Sequence, residues 1–343
     1  MKNLKNELFG FLLFIAALLA ACKEDKEAPE PLADIYVTGY ILDENYSHSV
    51  AVYWKNGTMV KVTDQTFDSF SNDIKVHDGS VYMTGDYDNK PCYWKDGQRF
   101  DLSENGLYIG TANKMQINDQ MLYIAVNAKS GINPTKQALL WKINLQNNQP
   151  EIVKLSLTDS EANDLAVKGL DVLIAGSKDG NPGYWINSAN NWVAYNADNG
   201  RCNSIIVIEN EVYTQGYSAI NNTNYWGYWN NNKQFQQIGL KKEDAYIKKI
   251  FVQNSNNIYM LGHLGGGLPP NQFASYWLNG IRTELSNKTS SAEDMAINGP
   301  YQYICGTNST LEKSIIAGYW RNGKWQALST APSRAQAIYI AYQ

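Results

Sequence analysis

Three features of the chain predict an all-β fold, a β-propeller of seven four-stranded blades: a recurring aromatic pair, a glycine-ended apolar run ahead of each pair, and a tight turn behind it. The pair reads Tyr53-Trp54, Tyr93-Trp94, Tyr184-Trp185, Tyr228-Trp229, Tyr276-Trp277 and Tyr319-Trp320, with Leu140-Trp141 in the remaining place. These tryptophans stand 40, 47, 44, 44, 48 and 43 residues apart, so seven of the chain's ten obey one period. The apolar runs end in Gly39, Gly85, Gly176, Gly216, Gly262 and Gly306, and in Val126 in the exceptional unit. Dipeptides such as Asn56-Gly57, Asp96-Gly97, Asn279-Gly280 and Asn322-Gly323 follow, and they supply the positive φ that a two-residue hairpin requires.

The second unit shows each element in order. Ser71 to Val76 is strand A, Asp78-Gly79 a turn, Val81 to Gly85 strand B, Pro91 to Trp94 strand C, Asp96-Gly97 a turn, and Arg99 to Leu102 strand D. Short runs rich in Val, Ile, Tyr and Trp between turn residues are strand signals, and no later segment has helical periodicity. Adjacent Tyr and Trp point to opposite faces of a strand, as suits a blade packed between two neighbours. The chain enters at Ile35 to Gly39, which matches strand B with no strand A before it. At the other end Ser333 to Ile338 is expected to align with Ala292 to Ile297, so that the C-terminal strand completes the first blade and closes the ring. Closure removes open sheet edges.

Ahead of the repeat, Lys2 and Lys5 precede an apolar run from Leu8 to Ala21, the layout of a signal peptide over residues 1–21. It ends in Leu19-Ala20-Ala21-Cys22, which resembles the lipobox of bacterial lipoproteins; the resemblance implies that Cys22 carries the lipid. Residues 22–33 then read as the lipidated cysteine and a polar, proline-broken tether, and residues 34–343 as the propeller. The charged cluster Lys23 to Glu27 is similar to the surface-export signal of Bacteroidota lipoproteins. What this implies is an outer-membrane lipoprotein exposed on the cell surface, touching the membrane through its anchor alone. The repeat resembles β-propeller repeat proteins over the whole mature chain. It attaches to no named functional family, because the Gly-His and Trp-Asp markers of WD40 blades and the double glycines of kelch repeats are absent.

Composition narrows the chemistry. A net charge of -4 gives no electrostatic case for nucleic acid. The cysteines beyond Cys22, namely Cys92, Cys202 and Cys305, fall in strands and are expected to be buried free thiols. With only His48, His77 and His263 and no HExxH, neither a metal nor a cofactor is expected.

Longer connections fall between strands B and C, at Ile41 to Val50, Asn127 to Gln137, Tyr217 to Tyr225, His263 to Phe273 and Thr307 to Ile316. A ligand site is therefore expected on that face, at the mouth of the central channel. The start of each strand A should rim the mouth with a polar pair: Asn72-Asp73, Asn113-Lys114, Asn163-Asp164, Asn203-Ser204, Lys248-Lys249, Glu293-Asp294 and Arg334-Ala335. These pairs are expected either to satisfy backbone groups and face channel water or to form a solvated polar ring that recognises a ligand, with Tyr225 and Trp226 as loop aromatics beside them. Amides next to aromatic faces suit sugar rings. The leading expectation is a monomeric, non-catalytic binding module for a glycan, peptide or protein. A scaffold for envelope-protein assembly and a glycan-cleaving hydrolase or lyase stay open, the latter needing two free carboxylates among Asp73, Asp164, Glu293 and Asp294.

The anchor is tested directly: Cys22→Ala is expected to abolish incorporation of a clickable palmitate analogue in growing cells, and labelling that persists would contradict lipidation at this residue.

Overall fold

The computed structural model describes residues 33–45, 47–104, 108–130, 135–197, 199–265, 272–312 and 314–342. The expected signal peptide, lipobox and tether fall on residues 1–33, of which 1–32 lie outside the described residues. Blade 1 contains β1 (Ala33–Leu42), β2 (Ser49–Lys55) and β3 (Thr58–Lys61). Blade 2 is β4 (Ser69–His77), β5 (Ser80–Tyr87), β6 (Lys90–Lys95) and β7 (Gln98–Asp101). Blade 3 is β8 (Tyr108–Asn118), β9 (Met121–Ser130), β10 (Gln137–Asn144) and β11 (Gln149–Lys154). Blade 4 is β12 (Ser160–Lys168), β13 (Asp171–Lys178), β14 (Asn181–Ile186) and β15 (Ser188–Ala194). Blade 5 is β16 (Gly200–Ile208), β17 (Glu211–Ile220), β18 (Thr223–Trp229) and β19 (Phe235–Lys241). Blade 6 is β20 (Ala245–Asn254), β21 (Asn257–Leu264), β22 (Phe273–Leu278) and β23 (Ile281–Glu284). Blade 7 is β24 (Ser290–Asn298), β25 (Tyr301–Ser309), β26 (Ile315–Arg321) and β27 (Lys324–Ala327). The last strand, β28 (Ser333–Tyr342), pairs with β1 in the order β28-β1-β2-β3, so the protein is a seven-bladed β-propeller whose first blade joins both ends of the repeat.

The turn dipeptides act twice. Asn56-Gly57, Asp96-Gly97, Asn279-Gly280 and Asn322-Gly323 all have positive φ at both residues. The side-chain oxygen of the first residue also accepts an N–H from the start of strand B, as from Ile35 to Asn56, Val81 to Asp96, Ile258 to Asn279 and Gln302 to Asn322, at 2.8–3.0 Å. One short residue therefore closes the outer hairpin and fastens it to the neighbouring strand.

Between blades the aromatic pair divides as its pleat requires. Trp94 sits in a core with Ala51 and Ala337 of blade 1, while Tyr93 joins Trp141 and Leu122 of blade 3. Three further repeat tryptophans pack toward the preceding blade in the same way: Trp185 on Ala125 and Leu140, Trp229 on Leu173 and Ala175, Trp320 on Leu261 and Ala274. All seven are at most 3% exposed, and removing one such side chain typically costs about 3–5 kcal/mol. Cys92, Cys202 and Cys305 are buried and unpaired.

The conserved place of glycine at the end of strand B has a steric cause. A Cβ on Gly39, Gly85, Gly176, Gly216, Gly262 or Gly306 would stand 1.6–2.0 Å from a carbonyl oxygen of the inner strand. The inner strand approaches closely because it is bulged opposite: the register shifts at Ser71/Asp73, Ala162/Asp164, Cys202/Ser204, Ile247/Lys249 and Ala292/Asp294. In blade 3, where Val126 replaces the glycine, the close approach falls on Gly110 of the partner strand, whose Cβ would meet the Asn127 carbonyl at 2.0 Å.

Serine sets the register of β28, and it corrects the alignment expected from sequence. Ser69, Ser160, Ser290 and Ser333 each accept, through Oγ, the N–H of an alanine in strand C of the preceding blade: Ala51, Ala138, Ala274 and Ala317, at 2.9–3.0 Å. Ser333 is thus the counterpart of Ser290. The equivalents of Glu293-Asp294 are Gln336-Ala337, two residues beyond the expected Arg334-Ala335. A two-residue slip preserves which face each side chain takes, so hydrophobic alternation could not reveal it.

Deleting Ala335 to Gln343 leaves β1 with a bare edge and blades 2 and 7 with uncovered apolar faces. The truncated chain is expected to lose its cooperative urea transition and to scatter light on standing. A transition like that of the full chain, followed by tryptophan fluorescence, would contradict the closure.

Candidate functional site

Seven inner strands converge on one channel, and each turns an unpaired backbone edge toward it. The bulge places two residues per blade at that edge. Their side chains bond to the next inner strand. The amides of Asn72, Asn113, Asn163 and Asn203 donate to the carbonyls of Ala112, Ala162, Cys202 and Ile247 at 2.6–3.4 Å, passing from blade 2 to blade 6. One residue further in, Asp73 accepts the Met115 N–H at 3.0 Å, Asp164 the Ile205 N–H at 3.1 Å and Asp294 the Ile338 N–H at 3.3 Å. Asp164 also accepts from Ser204 Oγ at 2.7 Å.

These aspartates are buried, which corrects the expectation of solvated rim charges. Their countercharges are lysines of the same ring. Lys249 Nζ lies 3.0 Å from Asp294, and Lys114 and Lys75 lie 3.8 and 3.9 Å from Asp73. Burial works to raise the Asp294 carboxyl, but Lys249, Lys114 and Lys75 outweigh it and hold the group below its ordinary range. Burial likewise works against the Lys249 ammonium, and Asp294, Asp164 and Asp73 overcome it and raise that group well above its usual value.

Above this ring lies a depression of about 230 Å³ lined by residues of all seven inner strands, among them Asn203, Lys248, Lys249, Glu293 and Gln336. It brings together Asn72, Asn113, Lys114, Asn163, Asp164, Asn203, Lys249 and Glu293 of the residues expected from sequence. Asp73 and Asp294 are buried and absent from its lining. Arg334 lines an adjoining depression with Lys242, Tyr246, Lys248, His263 and Glu293, and Gln336 takes its expected place in the ring.

Tyr225 and Trp226 are not loop residues. The expected loop from Tyr217 to Tyr225 is hairpin, since β17 runs to Ile220 and turns through Asn221-Asn222, both at positive φ, into β18. Trp226 has no exposed surface and donates its indole N–H to the Ala245 carbonyl at 2.8 Å, which removes it from any ligand surface. Tyr225 is partly buried in β18.

Sequence reasoning overlooked the residues beside the closing glycine of strand B. Tyr40, Asp86 and His263 follow Gly39, Gly85 and Gly262, and that glycine was the available signal. Tyr40 is hydrogen-bonded to Arg334. His263 is buried, stacks on Tyr246 at 5.8 Å with 16° between the rings, and has no partner for Nδ1 among the described residues. Burial holds its imidazole down at about 4, against the pull of Glu293. Glu293 accepts from Ser291 Oγ at 2.7 Å and pairs with Lys248 at 3.0 Å. Burial pushes the Asp86 carboxyl up to about 6, against a hydrogen bond to Thr111. On the far side Glu161 is clamped between Lys136 at 2.6 Å and Arg201 at 2.8 Å. Among the described residues no cluster of His, Cys, Asp and Glu has metal-binding geometry.

No protein-family model and no curated protein matches the chain. Among solved structures it is similar to the crystal structure of Porphyromonas gingivalis dipeptidyl peptidase 4, with 11% identity and a TM-score of 0.41 over 82% of this chain and 48% of that one. The chain thus spans about half the length of that protein, and the likeness carries no argument about activity.

Asp294 supports a pH prediction. A carboxyl held below its unfolded value adds stability that is fully present above that value, 3.8, and is lost as pH falls through the lower folded one. Melting temperature should therefore drop as pH is taken below about 4. Asp294→Asn should cost about 3–5 kcal/mol near neutrality, because it strands Lys249 among fewer countercharges, and should flatten the acid limb. An unchanged melt at pH 7 would contradict the structural role of this ring.

Proposed function

We propose that the protein is a lipid-anchored, non-catalytic binding module of the cell envelope that takes its ligand at the channel mouth on the face of the longer loops. The observation that carries this reading is the depression above the inner ring, where carboxamides, lysines and Glu293 from seven strands surround one concave space on a closed scaffold. The signal-peptide layout and Cys22 support the anchor, and Lys23 to Glu27 support the outer-membrane address.

Binding is favoured over glycan cleavage by the engagement of the acids. Asp73, Asp164 and Asp294 hold backbone N–H groups of neighbouring blades, and Glu293 is paired with Lys248. A glycosidase needs one carboxyl kept protonated and a second one free beside it. The carboxyl with a raised pKa, Asp86, is not among the residues lining the depression.

Full-length protein applied to immobilised glycans and peptides is expected to give a hit that Asn203→Ala and Gln336→Ala each weaken by about 1 kcal/mol, the scale of a neutral hydrogen bond. Isothermal titration of the hit with each variant gives the loss. Chemical turnover of the bound molecule would overturn the non-catalytic reading, and a hit unaffected by both variants would move the site off the channel mouth.

A further inference from the structure

The lacing of the inner ring is uneven. From blade 2 to blade 5 the bulge residue is asparagine, and its amide is engaged with the next blade. In blades 6, 7 and 1 the same position holds Lys248, Glu293 and Gln336. The repeat therefore abandons its structural residue over one continuous arc. The second depression opens in that arc, lined by Lys242, Tyr246, Lys248, His263, Glu293 and Arg334. It shares Tyr246, Lys248 and Glu293 with the channel-mouth depression, so the two form one basin.

The basin holds cations beyond those that its ion pairs use. Its lining carries six cations, of which Lys114, Lys249, Arg201 and Lys248 are paired with Asp73, Asp294, Glu161 and Glu293, and Lys242 and Arg334 remain. Two of the cations have no carboxylate partner among the described residues. Arg334 is hydrogen-bonded to the Tyr40 hydroxyl, and Lys242 sits 3.8 Å from the centre of the Tyr217 ring. Two buried polar atoms without partners among the described residues stand at the blade 6 end of the arc, Nδ1 of His263 and Oδ1 of the neighbouring Asn203.

We infer that this basin binds an anionic saccharide, with the carboxylate or sulfate groups of the sugar lying along Lys242, Lys248 and Arg334 and its hydroxyls meeting the amides of Asn203 and Gln336. The inference rests on the binding reading above and names its ligand class. A cationic concave surface concentrates anionic ligand and makes binding salt-dependent. A saccharide fits better than an acidic peptide because extended peptides dock by adding to open sheet edges, and side chains already occupy the inner edges here.

The test titrates the full chain with oligogalacturonate, chondroitin sulfate, neutral dextran and poly-glutamate, at low and high salt. We expect binding of oligogalacturonate, which carries only carboxylates, or of chondroitin sulfate, which adds sulfate. That binding should weaken at least tenfold in the double variant Arg334→Gln, Lys242→Gln and at high salt. The melt of the variant should be unchanged, since neither residue is part of an ion pair. Dextran bound as tightly as the acidic sugars, with no salt effect, overturns the anionic class while leaving the binding reading standing. Preference for poly-glutamate overturns the saccharide class. Acidic-sugar binding that survives the double variant overturns the location. Binding of none of the four overturns the inference, and an array hit of another class then keeps the binding reading alive without it.

Discussion

Every inner strand of the ring presents one unsatisfied backbone edge, and the fold depends on how those edges are met. In an open sheet such an edge recruits another chain, and buried N–H and C=O groups without partners cost free energy. Here the edges are answered by side chains. Asparagine reaches forward to a carbonyl and aspartate to an N–H of the next blade. Bulging of the inner strand puts both residues in position, and the close approach that the bulge creates is what demands glycine opposite. Three features that look independent in the sequence, the polar pair, the apolar run and its closing glycine, follow from one backbone requirement.

Blade number, strand order and closure were legible in the sequence because they rest on side chains that repeat by type. Tryptophan, the turn dipeptides and the closing glycine each have one physical role per blade. Less legible was whatever depends on a two-residue shift or on hydrogen bonding. The place of Gln336 follows from the Ser333 hydroxyl and the Ala317 N–H, a contact that polarity patterns do not report. A reading of Ser-x-Ala-x-x followed by an apolar residue, present at Ser160, Ser290 and Ser333, would have set the register. Tyr225 and Trp226 misled for a different reason. Asn-rich sequence resembles a loop, yet Asn221 and Asn222 tolerate the left-handed conformation that makes a two-residue turn between long strands.

The same polar residue type can serve opposite ends in one ring, and composition alone does not separate them. Aspartate at the rim reads as a ligand contact until its partner is known; three backbone N–H groups and three lysines identify Asp73, Asp164 and Asp294 as joints between blades. Blade-to-blade repetition supplies the criterion. A residue that recurs because the backbone needs it belongs to the scaffold, and one that departs from the repeat without a packing reason is a candidate for function. By that criterion the arc of Lys248, Glu293 and Gln336, with Arg334 and His263 beside it, stands apart from the asparagine arc.

Replacing asparagine with an ion pair at this arc also changes what a ligand can displace. The amide of Asn163 holds a carbonyl at 2.8 Å, and breaking that bond would leave a backbone group unsatisfied. The Lys248–Glu293 pair sits at 3.0 Å in a partly buried setting, where the desolvation of both charges offsets most of their attraction. Glu293 keeps one hydrogen-bond donor, Ser291 Oγ, when the partly exposed Lys248 meets an incoming anion. Re-pairing Lys248 leaves the backbone bonds between blades in place, whereas the same exchange at the aspartate joints would release backbone N–H groups. The channel mouth thus combines a rigid arc with one whose charges are free to be re-paired, and that difference arises from which groups on each arc the backbone requires.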